Sequence, residues 1–483
     1  MSDTGYRFAR RFGVLVAPDQ ARVWVREDVD GQALLEVRRM LGKRLALEVL
    51  SAECFASELR TRYESSTVDA MQKVEELNEE LDLAHLAQAL PEPEDLLESQ
   101  DEAPIIRLIN ALLLEAVKAK ASDIHIEPFE TRLSIRLRVD GVLREVLEPP
   151  KALANALVSR IKVMAKLDIA EKRLPQDGRI GLRLVGRAVD VRVSTLPSGQ
   201  GERVVLRLLD QQAGRLNLNE LGLGAGHLAS LEQELRKPHG IFLVTGPTGS
   251  GKTTTLYAAL MQLNDRSRNI LTVEDPIEYY LDGIGQTQIN TKAELTFAKG
   301  LRAILRQDPD VVMVGEIRDL ETVQIAIQAS LTGHLVFSTL HTNTAVGAIN
   351  RLKDMGVEPF LLASTVNAIL AQRLVRSLCL NCREPYAVQA LEAAQLEVAV
   401  GTQIFRAKGC QACHHTGYQG RMGVYELVVI DDALRALIYN GASEQALMQA
   451  VHASQPSLKQ DAVRRVLLGQ TSLEEVLRVA GQR

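Results

Sequence analysis

Hydrophobic positions recur with different periods in successive segments of this 483-residue chain. Within residues 103–116 the apolar side chains repeat every three or four positions, which predicts an amphipathic helix. Residues 133–139 alternate between apolar and polar, which predicts a half-buried strand, and the Asp-Gly pair at 140–141 predicts a two-residue hairpin turn. The alternation returns in residues 180–184 and 189–193. This region is therefore predicted to be α+β, with a mostly antiparallel sheet.

Short apolar runs and helical runs alternate in the region that follows, from about residue 221 to 375. The runs predicted to be strands are residues 241–244, 270–273, 311–314 and 335–337. Strands that alternate with helices in this way form a parallel sheet with helices on both faces. The predicted fold class of the chain is therefore α/β, with an α+β domain preceding the parallel sheet.

Changes in composition predict that the chain divides into six segments. The stretch around residues 91–95 is acidic and contains two prolines, which is typical of a flexible linker. The predicted segments are a small helical N-terminal domain (1–88) with one strand (21–25), the acidic linker (89–102), the α+β domain (103–215), the α/β domain (216–375), a four-cysteine module (376–425) and a C-terminal helical region (426–483).

Composition and charge exclude several classes of protein. The chain is 46% hydrophobic and 24% charged, as expected for a globular protein. Its net charge of −5 gives no basic field for nucleic acid, and 4% aromatic residues leave few surfaces for stacking bases. No apolar run approaches the length of a membrane span, and the first residues lack the apolar core of a signal peptide. We therefore expect a cytoplasmic protein that reaches a membrane only through partners.

One segment matches the phosphate-loop pattern G-x-x-x-x-G-K-[ST] and lies between a predicted strand and a helical run. The candidate nucleotide-binding residues are Gly246, Pro247, Thr248, Gly249, Ser250, Gly251, Lys252, Thr253 and Thr254. Glycines let the backbone N–H groups face phosphate, with the positive end of a helix behind them. Lys252 is expected to reach the β- and γ-phosphates, and the Thr253 hydroxyl to bind Mg²⁺. The sequence therefore predicts nucleoside triphosphate binding.

Three later segments offer groups that hydrolysis needs. Residues 273–278 end the second predicted strand with three carboxylates, and residues 311–319 form an apolar strand that ends in Glu316. The third segment, 332–341, carries a histidine on each side of a strand. Parallel sheets hold ligands outside the carboxyl ends of their strands, so we expect these groups near the phosphate loop.

Four of the five cysteines form two C-x-x-C pairs, Cys379 with Cys382 and Cys410 with Cys413. In a reducing compartment two such pairs are typical of a tetrahedral Zn²⁺ site rather than of disulfides. Redox-active cysteines are the alternative. The remaining Cys54 is expected to be a small buried hydrophobe.

The motifs TVEDPIE, VVMVGEIRD and TGHLVFSTLHTN, with two C-x-x-C pairs after AQRLVRSLC, resemble the secretion ATPase superfamily. Within it, the chain resembles the general secretion pathway protein E family of type II secretion ATPases. ASDIHIEP (121–128) and RLPQDGR (173–179) fit the same family. The resemblance covers residues 103–483 and implies a RecA-like domain, preceded by a PAS-like domain, that binds ATP with Mg²⁺.

The resemblance also implies roles for particular side chains. Glu278 resembles the catalytic glutamate that polarises water, and Glu316 resembles the Walker B acid. His334 and His341 fall in the family's histidine box. The family forms a homohexameric ring in which nucleotide lies between the RecA-like domain and the preceding domain, so basic residues of the preceding domain are expected to complete the site.

Arg179 and Arg192 are the arginines that we select as arginine fingers, because a planar guanidinium stays charged and binds phosphate bidentately. Nearby competitors are Arg173, Arg183, Arg203 and Arg207.

The function that the resemblance implies is that of a motor that hydrolyses ATP to assemble a pseudopilus and export folded proteins. Its implied partners are general secretion pathway protein L, bound by the N-terminal domain, and the platform protein of the inner membrane. A type IV pilus extension ATPase is the nearest alternative. A nucleic-acid-translocating ring motor and a nucleotide-gated scaffold without catalysis are more distant ones.

Overall fold

The chain divides into two compact units, residues 1–211 and 212–483. The computed structural model describes residues 13–16, 22–26, 29, 34, 46–51, 54–55, 58, 103–184, 187–210 and 217–480. The predicted acidic linker at 89–102 lies outside the described residues, as do most of the predicted N-terminal helices. None of the helices in the described part is long and apolar enough to cross a membrane.

A three-stranded sheet begins the first unit. Its strands are β1 (Val14–Val16), β2 (Arg22–Arg26) and β3 (Ala46–Leu50). β2 pairs antiparallel with β1 and parallel with β3, and it confirms the strand predicted at 21–25 to within one residue. The buried side chains of Leu15 and Phe55 form a small core beside it.

The rest of the first unit is a six-stranded antiparallel sheet in the order β6-β5-β4-β9-β8-β7. Its strands are β4 (Asp123–Pro128), β5 (Leu133–Val139), β6 (Val142–Leu147), β7 (Gln176–Leu184), β8 (Arg187–Ser198) and β9 (Gly201–Asp210). Helices α1 (Ala103–Lys118) and α2 (Ala154–Met164) share one apolar core with this sheet. The predicted helix, strand and hairpin are confirmed, since Asp140 and Gly141 join β5 to β6 with φ values of 51° and 83°.

The second unit contains a seven-stranded sheet in the order β12-β11-β13-β14-β10-β15-β18, and a separate hairpin of β16 and β17. The strands are β10 (Gly240–Thr245), β11 (Ile270–Glu274), β12 (Gly285–Gln288), β13 (Val311–Val314), β14 (Leu335–Leu340), β15 (Val366–Leu378), β16 (Glu384–Ala387), β17 (Gln403–Arg406) and β18 (Tyr418–Val429). All neighbours in the large sheet are parallel except β15 and β18. The predicted parallel sheet is thereby confirmed.

Helices cover both faces of this sheet. They are α3 (Ala225–Leu235), α4 (Lys252–Leu263), α5 (Phe297–Ile304), α6 (Leu320–Leu331), α7 (Ala345–Asp354), α8 (Pro359–Thr365), α9 (Ala390–Leu396), α10 (Asp432–Tyr439), α11 (Glu444–Ser454), α12 (Leu458–Leu467) and α13 (Leu473–Ala480). In β10 the side chains of Ile241 and Leu243 enter one core, and those of Phe242 and Val244 enter the other. The continuous apolar run of this strand is therefore explained by burial on both faces.

Strands β12, β15 and β18 are absent from the sequence-based prediction. The predicted boundary between residues 375 and 376 falls inside β15. After the cysteine pairs the chain returns as β18, which runs antiparallel to β15. The four cysteines are therefore inserted between two neighbouring strands of one sheet, and the division into six segments stays a prediction.

Candidate nucleotide-binding site

The predicted phosphate loop connects the end of β10 to the start of α4. Gly246, Gly249 and Gly251 have φ values of 152°, 77° and 87°, a region that favours glycine. A Cβ atom on Gly246 would lie 2.5 Å from the carbonyl oxygen of Gln372, so this position has no room for a side chain. These contacts explain the glycines by the path of the loop and its close approach to β15.

Lys252 begins α4 and folds back over the loop. Its Nζ donates hydrogen bonds to the carbonyl oxygens of Gly246 (2.9 Å) and Pro247 (3.2 Å). Burial lowers the pKa of Lys252 to about 8, the Glu316 carboxylate opposes this shift, and the Arg373 guanidinium adds to it. A phosphate that takes the place of these carbonyls would stabilise the charged ammonium.

Hydroxyl groups of the loop and helix are available to a nucleotide. The Oγ of Ser250 is buried and makes no hydrogen bond among the described residues. Thr253 and Thr254 are half-buried in the first turn of α4, whereas the next hydroxyl, Thr255 Oγ1, donates to Gln372 Oε1 at 2.7 Å. An orphaned buried hydroxyl inside a phosphate-loop backbone fits a bound phosphate group.

Glu316 lies two residues after β13, at the same edge of the sheet as the loop. The Arg318 guanidinium forms an ion pair with one of its carboxylate oxygens, and His341 Nε2 lies 3.5 Å from the other. Burial, followed by the positive charge of Lys252, lowers the pKa of His341, and Glu316 opposes this shift. The structure therefore brings Lys252, Glu316 and His341 together as predicted, and adds Arg318, which the sequence analysis did not select.

Glu278 lies in the turn after β11, which also contains a buried carboxylate network. Its backbone N–H lies 3.4 Å from the hydroxyl oxygen of Tyr257, a residue of α4. That hydroxyl donates to Glu274, which also accepts hydrogen bonds from Thr272 Oγ1 and from Gln286 Nε2 at 3.1 Å. Burial raises the pKa of Glu274 despite these donors. The glutamate turn is thus connected to the phosphate-loop helix.

His334 corrects the expectation that both histidines belong to the site. β10 and β14 are parallel and in register from Gly240↔Leu335 to Thr245↔Leu340. His334 precedes β14, and its carbonyl oxygen accepts from Gly240 N at 3.2 Å, at the edge opposite the phosphate loop. A strand of this length separates the two edges by about 17 Å. His334 Nδ1 instead lies 2.8 Å from the carbonyl oxygen of Ala329, at the end of α6.

The predicted arginine fingers lie in the first unit, on the six-stranded sheet. Arg179 of β7 is the cross-strand neighbour of Arg192 of β8, and Arg192 is the neighbour of Arg207 of β9. Three competitors form ion pairs with carboxylates: Arg173 with Glu171, Arg203 with Glu127 and Arg207 with Asp123. The side chain of the fourth, Arg183, lies outside the described residues.

The two C-x-x-C pairs converge in space. The Sγ atoms of Cys379, Cys382, Cys410 and Cys413 all lie within 4.8 Å of one another. The Sγ–Sγ distances of 3.8 Å and 3.9 Å exceed a disulfide bond and equal the roughly 3.8 Å edge of a Zn–S₄ tetrahedron. Backbone N–H groups of Cys410 and Gly417 also point at Cys413 Sγ. The donor set therefore fits Zn²⁺.

The fold and the site define a P-loop nucleoside triphosphatase. The model of the type II/IV secretion system protein family matches residues 98–478, and that of the N-terminal domain of GSPII protein E matches residues 5–63. The chain therefore belongs to the type II/IV secretion system protein family and, within it, to the type II secretion system E proteins, which are secretion ATPases.

Individual relatives support this assignment. The chain is 61% identical over 478 residues to type II secretion system protein E of Pseudomonas aeruginosa, covering 98% of this chain and 95% of that protein. It is 56% identical over 484 residues to type II secretion system ATPase E of Vibrio cholerae, covering 98% and 96%.

Solved structures support the fold. The pilus retraction motor PilT with bound ADP is 28% identical with a TM-score of 0.53, covering 76% of this chain and 95% of that chain. The Legionella pneumophila ATPase DotB has a TM-score of 0.58 at 23% identity, covering 76% and 93%, and is a likeness of fold alone.

Proposed function

We propose that this secretion ATPase is the cytoplasmic motor that hydrolyses ATP to drive pseudopilus assembly and thereby exports folded proteins. The observation that carries the proposal is the meeting of Lys252, Glu316 and His341 at the carboxyl edge of a parallel sheet. Such an edge is where open α/β sheets bind their ligands. The family membership supplies the context of type II secretion.

In the proposed mechanism, the phosphate loop binds ATP and Lys252 exchanges its carbonyl partners for phosphate oxygens. Glu278 orients and polarises the attacking water, and His341 donates a hydrogen bond near the terminal phosphate. Mg²⁺ would be held by the Thr253 hydroxyl and Glu316, and it would neutralise charge on the phosphates. ATP binding and product release then close and reopen the domains, which supplies the mechanical step.

Arg179 and Arg192 are proposed to complete the charge stabilisation in the assembled homohexamer. Arginine suits this role because it stays charged and binds phosphate bidentately. The ion pairs of Arg173, Arg203 and Arg207 support the choice, because a carboxylate partner competes with phosphate for the same donors.

The four-cysteine cluster is proposed to bind a structural Zn²⁺ ion. Its cysteines lie on two separate loops of one insertion, and a tetrahedral ion would join them. The module is therefore architectural, and it supplies no contact to ATP.

The six predicted segments correspond in this proposal to functional domains. Residues 1–88 dock on general secretion pathway protein L, residues 103–215 are a PAS-like domain, and residues 216–375 are the RecA-like domain. The ring is peripheral to the inner membrane and acts on the platform protein. The match of a separate N-terminal domain model to residues 5–63 supports a distinct role for the N-terminal segment.

Complementation tests the motor function. In the source bacterium with its own gene deleted, the wild-type chain is expected to restore export of a folded substrate. The Lys252→Ala variant, expressed at the same level, is expected to restore none. Full export with Lys252→Ala would contradict the proposal, because a scaffold rather than a motor would suffice.

Docking is tested with the cytoplasmic domain of general secretion pathway protein L. The full-length chain is expected to bind it, and a chain that begins at residue 103 is expected to lose binding while keeping nucleotide affinity. Equal binding by both chains would contradict the proposed role of residues 1–88.

A further inference from the structure

An arginine of β15 lies beside the phosphate loop. Arg373 follows Ala371 by two residues, and Ala371 is the register partner of Thr245, the last residue of β10. β15 therefore continues past the carboxyl edge of the sheet next to the loop. The carbonyl of the intervening Gln372 lies so close to Gly246 that it leaves no space for a Cβ.

One half of the Arg373 guanidinium has partners and the other half has none. Its Nη2 donates to the carbonyl oxygen of Asn343 at 3.1 Å and to Asn343 Oδ1 at 2.9 Å. Asn343 is two residues beyond His341, in the loop after β14. The Arg373 Nη1 atom is buried and makes no hydrogen bond within the described part of the chain. The Asn343 contacts thus fix the guanidinium and leave Nη1 to bind something else.

No carboxylate compensates the charge of this arginine. Burial lowers the pKa of Arg373, and no described acidic group opposes that shift. Its charge in turn lowers the pKa of Lys252, so two cations share this edge. Glu316, the carboxylate nearest to Lys252, is already paired with Arg318. A buried cation without a counter-ion is costly, and an anion that enters the site removes that cost.

We propose that Arg373 Nη1 binds a phosphate oxygen of the nucleotide, so that one chain supplies both Lys252 and Arg373 to the phosphates. This inference rests on the proposed function, because it requires that the loop binds nucleotide. It adds an arginine from the same unit as the loop to the arginines of the first unit. Guanidinium suits such a position because its donors form a rigid fork that matches phosphate oxygens.

The test measures equilibrium binding to the full-length chain with ATP and with inorganic tripolyphosphate, which lacks the base and the ribose. Arg373→Gln keeps an amide near Asn343 but removes the charge, and Arg373→Lys keeps the charge without the fork. The matched control is Arg383→Gln, because Arg383 is a partly buried arginine that binds the carbonyl of Gly469 beside the cysteine module.

Arg373→Gln is expected to weaken both ATP and tripolyphosphate at least tenfold, Arg373→Lys less, and Arg383→Gln less than twofold. Wild-type affinity for both ligands in Arg373→Gln would overturn the inference. Weaker ATP binding with unchanged tripolyphosphate binding would also overturn it, because the contact would then be to base or ribose. If Arg373→Gln does not fold, the Arg373→Lys result decides, and unchanged affinity there counts against the fork. Wild-type protein that binds both ligands but never hydrolyses ATP would contradict the motor function and leave this contact standing.

Discussion

Replacing Tyr257 by Phe removes a single hydroxyl from the link between the phosphate-loop helix and the glutamate turn. Tyr257 is fully buried, and its ring packs edge-to-face on Tyr279 with the centroids 4.7 Å apart, so the phenylalanine ring keeps its packing. The lost hydroxyl donates to Glu274, whose other partners, Thr272 Oγ1 and Gln286 Nε2, are also donors. A carboxyl group that only accepts hydrogen bonds is matched to its ionised form.

The magnitude follows from the charge of the acceptor. A hydrogen bond to a charged group contributes about 1.5–3 kcal/mol, and Glu274 is only 3% exposed, so water cannot replace the donor. For a unit of this size, each kcal/mol shifts Tm by roughly 2–4 °C. Tyr257→Phe is therefore expected to lower the Tm of the second unit by roughly 3–12 °C.

The loss is also expected to depend on pH. Burial raises the pKa of Glu274 above its ordinary 4.5, and a hydrogen bond to the carboxylate opposes that rise. Removing the hydroxyl raises the folded-state pKa further. Because a raised carboxyl pKa costs stability above that pKa, the loss is full at neutral pH and shrinks as the pH falls through it.

Thermal melts of wild type and variant at several pH values measure both effects. The control is Tyr425→Phe, because Tyr425 is equally buried but its hydroxyl donates to the neutral carbonyl of Leu221 at 2.8 Å. Its loss is expected to stay constant over the same pH range. An equal pH dependence in the two variants, or no loss in Tyr257→Phe, would refute the reasoning.

Two further predictions concern ionisation and metal. Because burial lowers the pKa of Lys252 to about 8 and phosphate raises it again, ATP binding at pH 8 is expected to take up protons, and affinity is expected to fall above that pH. Calorimetry in buffers of different ionisation enthalpy measures this uptake, and a binding enthalpy independent of buffer would contradict it. Cys379→Ser is expected to lower zinc content and increase protease sensitivity at 376–425 while ATP affinity stays within twofold; unchanged zinc and proteolysis would count against a structural ion.

Local patterns predicted the elements whose neighbours are close in sequence. The alternation in Leu133–Val139 and the Asp-Gly turn after it gave β5 with its observed bounds. β15 was missed because α8 leads into it directly at Thr365 and Val366, with no glycine or proline to mark the change. β18 was missed because its partner, β15, is separated from it by the whole cysteine insertion.

The site divides along the same line. Motif spacing identified Lys252 and Glu316, because a phosphate loop and an acidic strand end are each contained in one segment. Tyr257 reads as an ordinary apolar position of a helix, and its role appears only when Glu274 is beside it. Arg373 had a weak signal, since Gln372 and Arg373 interrupt an apolar run.

The two histidines show that the sequence contained more than was taken from it. His334 and His341 lie on the two sides of the six-residue strand Leu335–Leu340. A strand of that length places its flanking residues at opposite edges of the sheet. Only one of the two histidines was therefore able to lie at the carboxyl edge with the phosphate loop.

The central claim is that this chain hydrolyses ATP in a ring, with Glu278 as the catalytic glutamate. The most direct measurement is Mg²⁺-dependent ATP turnover per subunit over a range of protein concentrations, with Glu278→Gln as the control. The account predicts a rate that rises with concentration as rings assemble, and a variant that binds ATP without turning it over. A variant that hydrolyses ATP at the wild-type rate, or a wild-type protein that binds ATP but shows no turnover at any concentration, would contradict it.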